Sequence, residues 1–184
     1  MVLTKTPICN FGDKAKNFSL VSIDNKKISL NDVRGPNGTL IMFICNHCPY
    51  VKAVIKNIVD DVKFLETIGI KSAAIMSNDV NNYPDDSFEN MISFSKLNGF
   101  TFPYLLDSTH KVAKEYDAVC TPDFFGYNKN LELQYRGRIR ELKELKPVEK
   151  GDSDLRISMK LIGETGKGPT NQIPSMGCNI KWYK

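Results

Sequence analysis

Nowhere in the 184 residues does the chain string together about 18 apolar residues, so the sequence offers no membrane-spanning helix. The opening MVLTKTPICNFGDKAKNF has no apolar core of the kind a signal peptide needs. Charge of one sign is also missing: 25 Lys and Arg face 21 Asp and Glu, a net +4. These charges are interspersed except for the mixed stretch Arg136–Lys150, and no basic footprint for nucleic acid stands out. Glycine-rich phosphate loops are absent, since Gly166-Lys167-Gly168 is isolated. Cysteine is scarce and odd in number, at five. That argues against a closed disulfide framework and for thiols kept reduced in the cytosol. The expectation is a cytoplasmic protein that engages neither membrane nor nucleic acid, as a monomer or homodimer. A chain of this length fits one domain, spanning 1–184, with an N-terminal extension over 1–11 and a C-terminal arm over 164–184.

Strand and helix patterns alternate along the chain. Phe18–Ser22 and Lys27–Leu30, split by Asp24-Asn25, predict an N-terminal β-hairpin. Thr39–Cys45 is a continuous apolar run, the pattern of a strand buried on both faces. After it Val51, Val54, Ile55, Ile58, Val59, Val62 and Leu65 fall on one helical stripe. Lys71–Ser77 predicts a second buried strand. A helix over Ser87–Leu97 follows, capped by Asp86 or Ser87 and stopped at Asn98-Gly99. Phe102–Asp107 reads as a strand and Asp107–Tyr116 as a short helix. Asp123–Tyr127 and Leu131–Ile139 suggest a hairpin, and Asp154–Ile162 a last helix ending near Gly163. The fold class implied is α/β, a mixed central sheet flanked by helices.

Cys48 stands where the buried strand hands over to a helix, with Pro49 at the first helical position. A thiolate there meets unpaired backbone N–H groups and the positive end of the helix dipole. His47 and Lys52 add positive charge. Such settings lower a thiol pKa from about 8.5 into roughly the 3.5–7.5 range, which makes Cys48 the candidate nucleophile. Cys45, three residues earlier, completes a Cys-x-x-Cys; redox chemistry is its first reading and metal binding its second.

The run GDKAKNFSLVSIDNKKISLNDVRG, with the blocks CNHCPYVKA, FPYLLD, YDAVCTPDFF, YRGRI and GCNIKW, resembles a peroxiredoxin-like branch of the AhpC/TSA superfamily. The resemblance implies a thioredoxin-like fold in which Pro122, after Thr121, is a cis-proline facing Cys48. It also locates departures. Thioredoxin's second cysteine falls at Val51, and the peroxiredoxin threonine and proline fall at Cys45 and Ile41. The peroxidase arginine has no clear counterpart.

Thiol–disulfide exchange is therefore the favoured activity, on protein or small-molecule thiols and disulfides, with slow peroxide reduction left open beside it. No cofactor is expected. For the partner of Cys48, Cys45 is the first choice, set against a plain buried strand residue. Cys178 on the arm and Cys120 before Pro122 are the further options, each set against inert packing; Cys9 is incidental. FICNHCPYVK also resembles the Sco-type copper chaperones, so a copper site using Cys45, His47 and Cys48, with His110 or Cys178, is the rival. Lys52 occupies the position of their second cysteine. His110 is expected to be solvated or capping, Arg136 and Arg138 to lie on a solvated strand face, and Asn78 and Asp79 to neighbour the site. Tyr50 and Phe124 are read as core by default, or as a docking surface.

Overall fold

The computed structural model describes residues 2–183. Its centre is a seven-stranded mixed sheet in the order β3-β2-β6-β5-β4-β8-β9. The strands are β2 (Ser19–Ser22), β3 (Lys27–Ser29), β4 (Gly38–Phe43), β5 (Ile70–Met76), β6 (Tyr104–Leu106), β8 (Asp123–Asn128) and β9 (Leu133–Tyr135). β2 and β3 form the expected hairpin. β4 runs parallel to β5 and antiparallel to β8, and β8 turns back into β9.

Every residue of β4 is buried, because the strand is covered on both sides. Leu40, Met42 and Ile44 join one core with helix α1 (Pro49–Thr67), while Ile41 and Phe43 join the other with helix α3 (Lys111–Glu115). The α1 stripe is buried as its spacing requires, and each such side chain contributes about 1.5–3 kcal/mol when fully withdrawn from water. Helix α2 (Phe88–Asn98) begins at Ser87, whose Oγ accepts from the Asn90 N–H, and stops at left-handed Gly99.

Several expectations are corrected. The last helix, α4 (Asp154–Thr165), runs through Gly163 to a left-handed Gly166. Gly163 is small for packing: a Cβ there would meet Ile70 Cδ1 at 3.3 Å. The segment after α4 is not all extended arm, since Met176–Asn179 is a strand, β12. It lies between β1 (Leu3–Lys5) and β7 (Cys120–Thr121), antiparallel to both. The two chain ends thereby build a second small sheet over the point where β7 enters β8. A two-stranded β10–β11 ribbon (Leu142–Lys143, Lys146–Pro147) projects before α4.

Candidate active site

Cys48 is the N-cap residue of α1, with Pro49 following it inside the helix. The Thr121–Pro122 bond is cis and brings the Thr121 carbonyl to 3.2 Å from Cys48 Sγ, where it accepts from the thiol when Cys48 is protonated. Pairing of Cys178 with Thr121 across β12 and β7 lays a second sulfur on the first, at 2.9 Å. An S–S bond is about 2.05 Å, so these are two thiol sulfurs in contact. At this strand-to-helix junction Cys48 is 0% exposed, covered by β12.

Ionised Cys48 is favoured well below the ordinary thiol range. The largest cause is hydrogen bonding from the Cys45 thiol, opposed by burial and reinforced by the Cys178 thiol. Cys45 and Cys178 move the other way: burial pushes both thiols up, and donation to Cys48 pushes them further. The three sulfurs thus divide into one thiolate and two proton holders. Helix, His47 and Lys52 were the reasons read from sequence, but Lys52 is exposed and touches the site through its backbone N–H, which donates to the Cys48 carbonyl at 3.0 Å.

Cys45 Sγ lies 3.4 Å from Thr121 Oγ1 and 3.9 Å from His47 Nδ1. Behind them sits a residue that sequence reasoning treated only as a possible helix cap. Asp86, in the 3-10 turn Pro84–Asp86 just before α2, is fully buried and accepts four hydrogen bonds. They come from the Asn46 N–H at 2.8 Å, the His47 N–H at 3.2 Å, His47 Nδ1 at 2.6 Å and Asn78 Nδ2 at 2.8 Å. Burial alone would raise its pKa, yet these donors, His47 first, hold it below the usual carboxylate value. In return Asp86 raises the pKa of His47, whose ring stacks on Tyr83. The strand-to-helix turn carrying Cys48 is therefore pinned by one carboxylate.

Asn78 Oδ1 accepts the Lys181 N–H at 2.9 Å, and the Asp79 N–H donates to the Lys181 carbonyl at 2.7 Å. These expected neighbours tie the chain end to the Asp86 network. Cys120 is buried with its Sγ 3.6 Å from the Pro122 carbonyl, and burial drives its thiol far above the ordinary value. Cys9 lies away near Arg136 and Gln172. Phe124 is core and Tyr50 half-buried against it.

Of the residues expected in solvent, Arg136 and His110 are buried and Arg138 is partly so. Arg136 pairs with Asp123 at 3.0 Å and covers the Phe125 ring, because β9 faces β8 there. Arg138 pairs with Asp154. His110 has left-handed backbone, stacks on Tyr183 and accepts the Tyr183 N–H on Nδ1, so it belongs to the chain-end anchor. Donor atoms of Cys45, His47 and Asp86 lie within 4.8 Å of one another. The 2.6 Å between Nδ1 and Oδ2 is a hydrogen-bond distance, with a proton between the two atoms. A cleft of about 250 Å³ borders the site at Pro122 and Val54, floored by Ile139, Leu142 and Met176.

A family model described as the AhpC/TSA family matches residues 11–142, and no curated protein matches. Among solved structures, an uncharacterized conserved protein from Geobacillus kaustophilus is 38% identical, with a TM-score of 0.93 over 100% of this chain and 97% of that one. A hypothetical protein from Sinorhizobium meliloti is 32% identical, with a TM-score of 0.90 over 98% of each chain. A thiol:disulfide interchange protein of the thioredoxin family from Chlorobium tepidum, 15% identical, covers 83% of this chain and 95% of its own at a TM-score of 0.61, a likeness of fold. On its matched residues, and with a thioredoxin-like sheet and cis-proline around Cys48, the chain belongs to the AhpC/TSA family.

Proposed function

We propose that the protein is a thiol–disulfide oxidoreductase in which Cys48 is the nucleophile and Cys178 resolves the mixed disulfide. The observation that carries the reading is the 2.9 Å contact between their sulfurs beside cis-Pro122. The Cys48 thiolate attacks one sulfur of a substrate disulfide, forming a Cys48–substrate disulfide and releasing the other half as a thiolate. That thiolate takes a proton, and Cys178 supplies one. Burial and the Cys48 charge both hold the Cys178 proton, and the mixed disulfide abolishes that charge. Cys178 then displaces the second substrate thiolate, leaving a Cys48–Cys178 disulfide and a fully reduced substrate. An external dithiol returns the pair to its reduced state and is itself oxidised to a disulfide.

Cys45 serves as a hydrogen-bond donor to the nucleophile. The 3.4 Å contact with Thr121 Oγ1 and its place as the leading hydrogen-bond donor to Cys48 support that role. Peroxide reduction has no comparable support, since Cys45 stands at the position of the peroxiredoxin threonine and the peroxidase arginine has no clear counterpart. The test is peptide mapping after one equivalent of diamide. The expected product is a Cys48–Cys178 disulfide; a Cys45–Cys48 disulfide, or none involving Cys48, overturns the assignment.

A further inference from the structure

Exchange requires a substrate sulfur to reach Cys48, yet Cys48 is 0% and Cys178 1% exposed. The element lying over them is β12. Its ladder with β7 is short, two residue pairs, Cys178 with Thr121 and Asn179 with Cys120, flanked by hydrogen bonds from the Ile180 N–H to the Val119 carbonyl at 3.3 Å and from Ser175 Oγ to the Pro122 carbonyl at 2.7 Å. The ladder cannot continue past Thr121, because Pro122 has no N–H to give. Gly177 presses so closely on β7 that a Cβ added there would fall 2.0 Å from the Thr121 carbonyl oxygen. On its other edge β12 pairs with the three-residue strand β1.

The pairing also shows what the β7 edge accepts: an extended antiparallel strand with a cysteine opposite Thr121, its sulfur delivered onto Cys48. Main-chain pairing with an exposed edge is a general mode of peptide recognition. We propose that β12 is an internal stand-in for the substrate. The protein's partner, on this view, is an extended polypeptide segment carrying a disulfide-bonded cysteine, which exchanges with β12 along Cys120–Thr121. The proposal rests on the thiol–disulfide reading and adds the class of substrate to it.

The chain is built for such an exchange without losing its second thiol. Downstream of β12, Lys181 is held by Asn78 and Asp79, and the Tyr183 N–H by His110. These anchors lie outside the β7 pairing, so Cys178 stays tethered near Cys48 while β12 is lifted. The cleft beside Pro122 and Val54 leaves room for a side chain flanking the incoming cysteine.

The test uses the full chain and three disulfide probes, with the modification of Cys48 followed by mass spectrometry. One probe is an eight-residue peptide whose central cysteine is joined to thionitrobenzoate. The second is the same peptide N-methylated on both sides of that cysteine, so that its backbone cannot pair. The third is 4,4′-dithiodipyridine, which has no backbone. The proposal predicts that N-methylation slows capture of the peptide by at least about tenfold, the equivalent of about 1.4 kcal/mol. It also predicts that Gly177→Ala, whose Cβ loosens β12 from β7, speeds capture of the unmethylated peptide more than it speeds dithiodipyridine. Equal rates for the two peptides on the unaltered chain overturn strand exchange, whether or not Gly177→Ala folds. If Cys48 reacts with none of the three probes, the oxidoreductase reading itself fails.

Discussion

Replacing Asp86 by Asn tests how the Cys48 turn is held. The carboxylate accepts four hydrogen bonds, two on each oxygen, while 0% exposed. An amide keeps one acceptor oxygen, and whichever way it turns its NH₂ faces two former donors. While His47 is protonated, the substitution also removes the counter-charge of a largely buried ion pair, a loss of about 3–5 kcal/mol. Once His47 is neutral, its Nδ1 is able to accept from the amide. One orphaned donor then remains, at about 1–3 kcal/mol.

The pH dependence follows from the two shifts. His47 has a folded-state pKa raised above its ordinary value. Its contribution is complete below about 6.5 and is lost as pH rises through the raised value. Asp86 is lowered, so its contribution is complete above about 3.9 and is lost as pH falls through the lowered value. The Asp86→Asn penalty is therefore greatest between these limits. Urea unfolding of the reduced protein at pH 5.5 and pH 9 reads it directly. The larger loss is expected at pH 5.5. A penalty equal at both pH values, or below about 0.5 kcal/mol throughout, refutes the reasoning.

Three further outcomes follow from the same contacts. Cys45→Ala removes the leading donor to the Cys48 thiolate, so the pH midpoint of Cys48 alkylation by iodoacetamide moves upward; an unchanged midpoint contradicts the donor role. Arg136→Met leaves the fully buried Asp123 carboxylate without its partner, and stability falls by about 3–5 kcal/mol in denaturant titration, far more than a solvated strand arginine would give. His110 has its pKa lowered, chiefly by burial. Its contribution is complete above about 6.5 and is lost as pH falls through the lowered value. Acidification should therefore loosen the chain end, seen as a change in fluorescence of Trp182, which packs edge-on to His110 and is the single tryptophan; His110→Asn should abolish that step.

The sequence was most readable where local rules and burial agree. β4 and α1 announce themselves through an unbroken apolar run, Pro49 and a seven-member helical stripe, and these two elements put Cys48 in place. The partner of Cys48 was far less legible. Met176–Asn179 is four residues with no β-branched side chain, and its partner strands lie at Leu3–Lys5 and Cys120–Thr121, far away in sequence, so nothing local marks it as a strand. Asp86 precedes a helix, where an acidic residue ordinarily caps; its turn toward His47 depends on how α2 packs beside the β4–α1 turn. Arg136 looked solvated because an alternating short strand does not reveal that Asp123 lies on the facing strand. Gly163 looked like a helix stop because its close approach to Ile70 is a tertiary contact.

The central claim, that Cys48 attacks and Cys178 resolves, is tested most directly by counting thionitrobenzoate released from an excess of 5,5′-dithiobis(2-nitrobenzoate) under native conditions. The unaltered chain should release two equivalents linked to these residues, one on attack by Cys48 and one on resolution by Cys178. Cys178→Ser should stop at one, with the adduct on Cys48, and Cys48→Ser should give neither. Release of both equivalents by Cys178→Ser, with Cys45 joined to Cys48, would contradict the assignment.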